Sequence, residues 1–222
     1  MHRNLFQFGS PIYSVMMLIG IGGGLFFWVK MGKRDKRLPF IYLIGLLGGF
    51  FGAKLAFLFS EGWLYWHHEN RWFFWISGKS IMGSFLGGWA AVEIAKRYMR
   101  YRHPTGDAFA LTLPLPLLFG RVGCLSAGCC AGINGWPAVP VEMFFLGIMG
   151  CILLTLRHAS CLHGQHFHLF LICYSFFRFL HEFKRATPKI YAGFSGYQII
   201  ACITLVAAII AWTKRAKSIL SS

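Results

Sequence analysis

A chain of 222 residues that is 56% hydrophobic and only 13% charged falls far below the charge content of soluble domains, about 25%. Its 23 Phe, 8 Trp and 8 Tyr carry more apolar surface than one core of this length can cover, which excludes a soluble globular fold. The net charge of +15 sits in clusters between apolar runs, as anchoring to anionic lipid headgroups produces, so no nucleic-acid partner is expected.

About 20 apolar residues cross a bilayer as a helix. At that length the chain shows seven runs: 11–29, 40–59, 80–96, 108–125, 139–156, 167–183 and 195–212. The first, from Ile12 to Val29, is long enough to be a retained span and lacks a clear small-residue cleavage site. The third is short and holds Gly83, Gly87 and Gly88. The fourth holds Pro114 and Pro116, which must kink or break it. The expected fold is all-α, a bundle of seven transmembrane helices in one domain over residues 1–222.

Basic clusters follow the first run (Lys30, Lys33, Arg34, Lys36, Arg37), the third (Lys96, Arg97, Arg100, Arg102) and the seventh (Lys214, Arg215, Lys217). They outnumber the basic residues of the opposite side. By the positive-inside rule the N-terminus is outside and the C-terminus cytoplasmic. Between the second and third runs, WLYWHHENRWFFW (Trp63–Trp75) interleaves aromatic and polar residues, as an amphipathic stretch in the outer interface does.

Three cations fall inside the apolar runs: Lys54, Arg121 and Arg178. A charge there costs roughly 2.5–3.5 kcal/mol on insertion scales, so each needs a partner or a task. Glu93, Asp107, Glu142 and Glu182 are the candidate partners. Glu182 follows Arg178 by four residues and shares its helix face. Tyr174, Arg178, His181, Glu182 and Arg185 form one polar stripe. Cations outnumber acids, so an anionic ligand is expected to neutralise the excess. Guanidinium suits a phosphate because it presents a planar fork of donors.

Arg121 opens the densest stretch of the chain, GRVGCLSAGCCAG (Gly120–Gly132). Glycine there lets a backbone or ligand approach closely. Cys124, Cys129 and Cys130 admit three readings: small packing residues, a nucleophile activated by Arg121, or a redox pair. The histidines of CLHGQHFH match no standard zinc spacing, and neither metal nor soluble cofactor is expected.

These features, in this order, resemble the prolipoprotein diacylglyceryl transferase family, seven-span enzymes of the bacterial inner membrane. Ile12-Tyr13 resembles the start of its first span, and Gly52-Ala53-Lys54-Leu55 its glycine-arginine segment with lysine in place of arginine. Gly78 to Gly88 resembles its glycine-rich third span, and Gly120-Arg121-Val122-Gly123 its signature. Glu142 falls where an acidic residue opens the fifth span. Tyr174 to Arg178, then Glu182 and Arg185, is similar to the sixth. Gly196-Tyr197-Gln198-Ile199 resembles the opening of the seventh. The chain departs at Gly83, matched to a histidine of the family, at Cys124 and Cys129, matched to an asparagine and a glutamate, and in the short connection Ile133–Pro140, where the family has an extracellular head.

The resemblance implies transfer of the diacylglyceryl group from phosphatidylglycerol to a thiol, with release of glycerol phosphate. It implies Arg121 and Arg178 as phosphate ligands, with Glu182 and Arg185 orienting them. Tyr13, Lys54, Glu142, Tyr174, Gly83 and Gly132 line the cavity, and Cys124 and Cys129 stand as further candidates for the chemistry. The missing head points to a shortened relative for which a prolipoprotein acceptor is not expected; the acceptor stays open, with a thiol or other small molecule among the candidates. Two alternatives stay open: a lipid-binding or transport protein that kept the anion pocket, and a membrane thiol oxidoreductase.

Overall fold

The computed structural model describes every residue except 1–10, 33–34, 127, 129 and 221–222. The described residues form nine α-helices: α1 (Pro11–Gly32), α2 (Arg37–Ser60), α3 (Arg71–Ser77), α4 (Ile81–Tyr98), α5 (Gly106–Thr112), α6 (Pro114–Ser126), α7 (Ala138–His158), α8 (His166–Glu182) and α9 (Gly196–Leu220). Each of the seven apolar runs is helical. The fourth is split at Leu113, because Pro114 has no N–H to continue the ladder.

Helix ends follow local chemistry. The Asp35 carboxylate accepts the Arg37 backbone N–H at 2.9 Å, answering one orphan donor at the start of α2. Ser80 is the N-cap of α4, and its hydroxyl accepts the Gly83 N–H. Lys96 and Arg97 lie in the last turn of α4, where the helix dipole favours cations.

Polarity is inverted relative to a soluble protein. Leu18, Phe26, Leu55 and Phe144 are each at least 67% exposed, while Arg121, Glu142, Arg178 and Glu182 are buried. Apolar exposure on this scale fits a hydrocarbon surround. Among the described residues, four helical stretches are long and apolar enough to cross a membrane: Arg37–Ser60, Gly106–Ser126 (α5 with α6), Ala138–His158 and Gly196–Lys217.

The chain divides into two compact units: residues 1–27, 104–170 and 184–186, and residues 28–103, 171–183 and 187–222. In the first, α6 packs on α7, and α1 touches α6, where a Cβ on Gly20 would stand 3.0 Å from Pro116. Asp107 reaches the start of α8, accepting the N–H groups of Gly164 (2.6 Å) and His166 (3.1 Å).

In the second unit, α2 and α4 are the most closely packed pair. Gly48 and Gly52 face Gly83 and Gly87. A Cβ on Gly83 would lie 2.2 Å from the Ala56 Cβ and 2.3 Å from the Gly52 carbonyl oxygen. Glycines four apart on both helices let the backbones touch, as in small-residue packing between membrane helices. Gly196, at the start of α9, lies as tightly against Ser60.

Trp63–Trp75 forms a 3₁₀ turn (Gly62–Tyr65) and the short α3. Tyr65 stacks on Phe74 at 4.3 Å, and the Trp75 indole donates to the Gly62 carbonyl at 2.8 Å. Trp66, Trp72 and Ile76 stay exposed.

Candidate functional site

In the first unit, Arg121 and Glu142 form a buried arginine–carboxylate pair. Arg121 lies two turns into α6 and Glu142 in the second turn of α7. The Arg121 Nη2 donates to Glu142 Oε1 at 2.7 Å. Glu142 is 2% exposed and Arg121 9%. The other terminal nitrogen, Nη1, faces two sulfurs, Cys124 Sγ at 3.8 Å and Cys130 Sγ at 3.6 Å. Cys124 follows Arg121 by three residues and shares its face. Cys130 reaches the same nitrogen from beyond the helix end, with φ +62°.

Gly132 is sterically required. A Cβ there would sit 2.2 Å from the Trp136 carbonyl oxygen. Its backbone bridges to Arg185 as a short antiparallel pairing: Ile133 N–H donates to the Lys184 carbonyl at 2.9 Å and Ala186 N–H to the Ala131 carbonyl at 3.1 Å. Two residues singled out by sequence, Gly132 and Arg185, are therefore tied together through their backbones.

The second unit holds the other pair. Arg178 Nη2 donates to Glu182 Oε2 at 3.0 Å, one turn along α8, and both are buried. Tyr174 lies one turn before, fully buried, with its ring edge-on to Phe85 at 5.3 Å. His181 stacks on Phe177 at 4.9 Å. The carboxylate of Glu182 has a second contact: the Thr187 hydroxyl donates to Oε1 at 2.7 Å. The Lys189 ammonium donates to the Glu182 carbonyl at 2.7 Å and to the Thr187 hydroxyl at 2.9 Å. Sequence reading missed Thr187 and Lys189; Pro188 between them stiffens the turn but is an ordinary loop residue in the sequence.

Lys54 makes different contacts from the arginines. Its ammonium donates to the carbonyls of Trp75 and Gly78, both at 2.9 Å, and to that of Ile76. These are the last carbonyls of α3, so Lys54 closes that helix end from α2. Gly83 sits in the α2–α4 contact. Tyr13 falls in α1, but its side chain and all of Cys129 lie outside the described residues.

The excess of buried positive charge expected from sequence is largely answered from within. Each arginine has a carboxylate and the lysine has carbonyls. Clefts among the described residues include one of about 430 Å³ along α9 beside Cys202 and Val206 and one of about 610 Å³ among Glu93, Arg97 and Arg100. Neither is lined by Arg121 or Arg178. Chemically, a carboxylate at 2.7–3.0 Å fixes the plane in which a guanidinium presents its donors.

A profile of the family described as prolipoprotein diacylglyceryl transferase matches residues 3–214. A phosphatidylglycerol–prolipoprotein diacylglyceryl transferase 2 of Clostridium perfringens is 27% identical over 91% of this chain and 91% of its own length. A phosphatidylglycerol–prolipoprotein diacylglyceryl transferase of Dehalococcoides mccartyi is 27% identical over 92% of this chain and 90% of its own. One of Clostridium tetani is 24% identical over 82% and 84%. No solved structure gives a significant match. The chain belongs to the prolipoprotein diacylglyceryl transferase family, and is a transferase of the membrane lipid class that this family indicates.

Proposed function

We propose that the protein transfers the diacylglyceryl group of phosphatidylglycerol to the thiol of a prolipoprotein cysteine. The family match over residues 3–214 carries this reading, and the relatives' names supply donor and acceptor. The sequence leaves the acceptor open and counts against a prolipoprotein; the relatives' names support reading it as a polypeptide. The setting is a seven-span bundle in the bacterial cytoplasmic membrane, with the N-terminus outside, as the positive-inside count supports.

In the reaction the acceptor S–H loses its proton and sulfur attacks the glyceryl carbon that bears the phosphate ester. A C–S bond forms and the C–O bond breaks. Its electron pair stays on the phosphate oxygen, and glycerol phosphate leaves, with the thiol proton taken up by that phosphate or passed to water. Arg121 and Arg178 are the phosphate ligands, and they stabilise the charge that grows on the leaving group. Glu142 and Glu182 hold the two guanidinium planes. Tyr174 and Arg185 support the arginine of their own unit, and Lys54, Gly83 and Gly132 shape the helices and loops of theirs.

A covalent relay through Cys124 requires breaking a thioether in its second step, where an alkyl thiolate is a far poorer leaving group than a phosphate. The thiols beside Arg121 are therefore read as packing, with the guanidinium as a weak donor to sulfur. Replacing Cys124 and Cys130 with serine leaves transfer intact on this reading, and its loss restores them as chemical candidates.

The pairing of each arginine with its own glutamate favours one other reading, a lipid-binding protein without catalysis. Purified protein given headgroup-labelled phosphatidylglycerol and a peptide containing a lipobox cysteine separates the two. Labelled glycerol phosphate with a diacylglyceryl peptide supports transfer. Bound lipid without release supports the binding protein.

A further inference from the structure

The end of α8 is held by a turn that no resemblance assigns. Thr187 precedes Pro188, which biases it to extended backbone and fixes the next φ. The turn sends both flanking side chains back to the last residue of the helix. The Thr187 hydroxyl takes one oxygen of Glu182 at 2.7 Å, and Arg178 takes the other at 3.0 Å. The Lys189 ammonium joins the Thr187 hydroxyl (2.9 Å) to the Glu182 carbonyl (2.7 Å).

We infer that Thr187 and Lys189 are positioning residues that lock the Glu182 carboxylate and, through it, aim the Arg178 guanidinium. The argument is geometric. A carboxylate with a single partner can pivot about its last torsion, and its arginine follows. Two partners on opposite oxygens remove that freedom. The hydroxyl also donates to a buried, charged acceptor, the kind whose loss is felt most. Lys189 fixes the hydroxyl in turn, so the polar chain Arg178–Glu182–Thr187–Lys189 behaves as a unit. The functional consequence rests on Arg178 serving the lipid phosphate, while the mechanical one does not.

The test uses Thr187→Val, which keeps shape and removes the hydroxyl, and Thr187→Ser, which restores it. The first readout is phenylglyoxal modification of Arg178 in the full-length protein in detergent, followed by peptide mass spectrometry. The Val variant is expected to react about tenfold faster than wild type and the Ser variant at the wild-type rate. The second readout is kcat and KM for phosphatidylglycerol. The Val variant is expected to lose about tenfold in kcat/KM, the Ser variant to keep the wild-type value, and Lys189→Gln to lose less.

Unchanged Arg178 labelling in Thr187→Val overturns the inference, as does a lowered midpoint with wild-type kinetics, which marks a plain helix end. Faster labelling in a protein that never turns over phosphatidylglycerol keeps the coupling and removes the donor reading instead.

Discussion

The Arg121–Glu142 pair allows architecture and chemistry to be separated in one experiment. The two groups meet at 2.7 Å with side-chain exposures of 10% and 2%. Removing one partner leaves the other charge buried, which costs about 3–5 kcal/mol. Arg121→Met and Glu142→Met should each fall in stability by that amount. Removing both exchanges a buried ion pair for apolar volume, a change often neutral or stabilising by about 1–4 kcal/mol. The double variant should therefore recover most of the unfolding midpoint. Transfer should not recover, because the guanidinium that stabilises the leaving phosphate is gone, and loss of such a donor costs roughly 100- to 1,000-fold. The assays are thermal unfolding in detergent and glycerol phosphate release from phosphatidylglycerol. A stable double variant with wild-type turnover refutes the catalytic role of Arg121 and leaves only a packing pair.

Three further outcomes follow from particular contacts. Lys54→Met removes three hydrogen bonds at the end of α3 and should raise hydrogen exchange over residues 71–78; an unchanged exchange pattern would sink the latch. Gly83→Ala places a methyl where only 2.2 Å separates it from Ala56, so α2 and α4 must part at a cost of about 1–3 kcal/mol, read as a lowered unfolding midpoint. The Asp35 carboxyl is lowered from the ordinary 3.8 to about 2, chiefly because the Arg37 side chain and backbone donate to it. Because the folded value is depressed, the pairing is intact above the ordinary carboxylate pKa and is lost as pH falls through about 2. The carboxyl ¹³C titration of Asp35 should show that midpoint, and Arg37→Gln should return it toward 3.8.

Local signals were legible in the sequence and distant ones were not. The seven apolar runs became helices because each holds its own backbone hydrogen bonds. The break at Leu113 followed from Pro114. The Arg178–Glu182 pair followed from a four-residue spacing on one helix. Glu142 was named among four possible acids, but its place opposite Arg121 depends on how α6 meets α7. Lys54 and Gly83 sit in matched segments of the family pattern, which invites a substrate role. The structure shows what contacts they make: carbonyls at a helix end for one, a glycine-lined helix crossing for the other. Thr187 and Lys189 carried no signal, since a threonine, a proline and a lysine after a helix are ordinary loop residues until the turn brings them back to Glu182.

The most direct measurement is phosphatidylglycerol turnover by the purified protein in the presence of a lipobox peptide. The account predicts equal amounts of glycerol phosphate and diacylglyceryl-thioether peptide, and roughly 100- to 1,000-fold less of both from Arg121→Met. Peptide left unmodified by an intact, lipid-loaded protein, or full turnover by Arg121→Met, would contradict it.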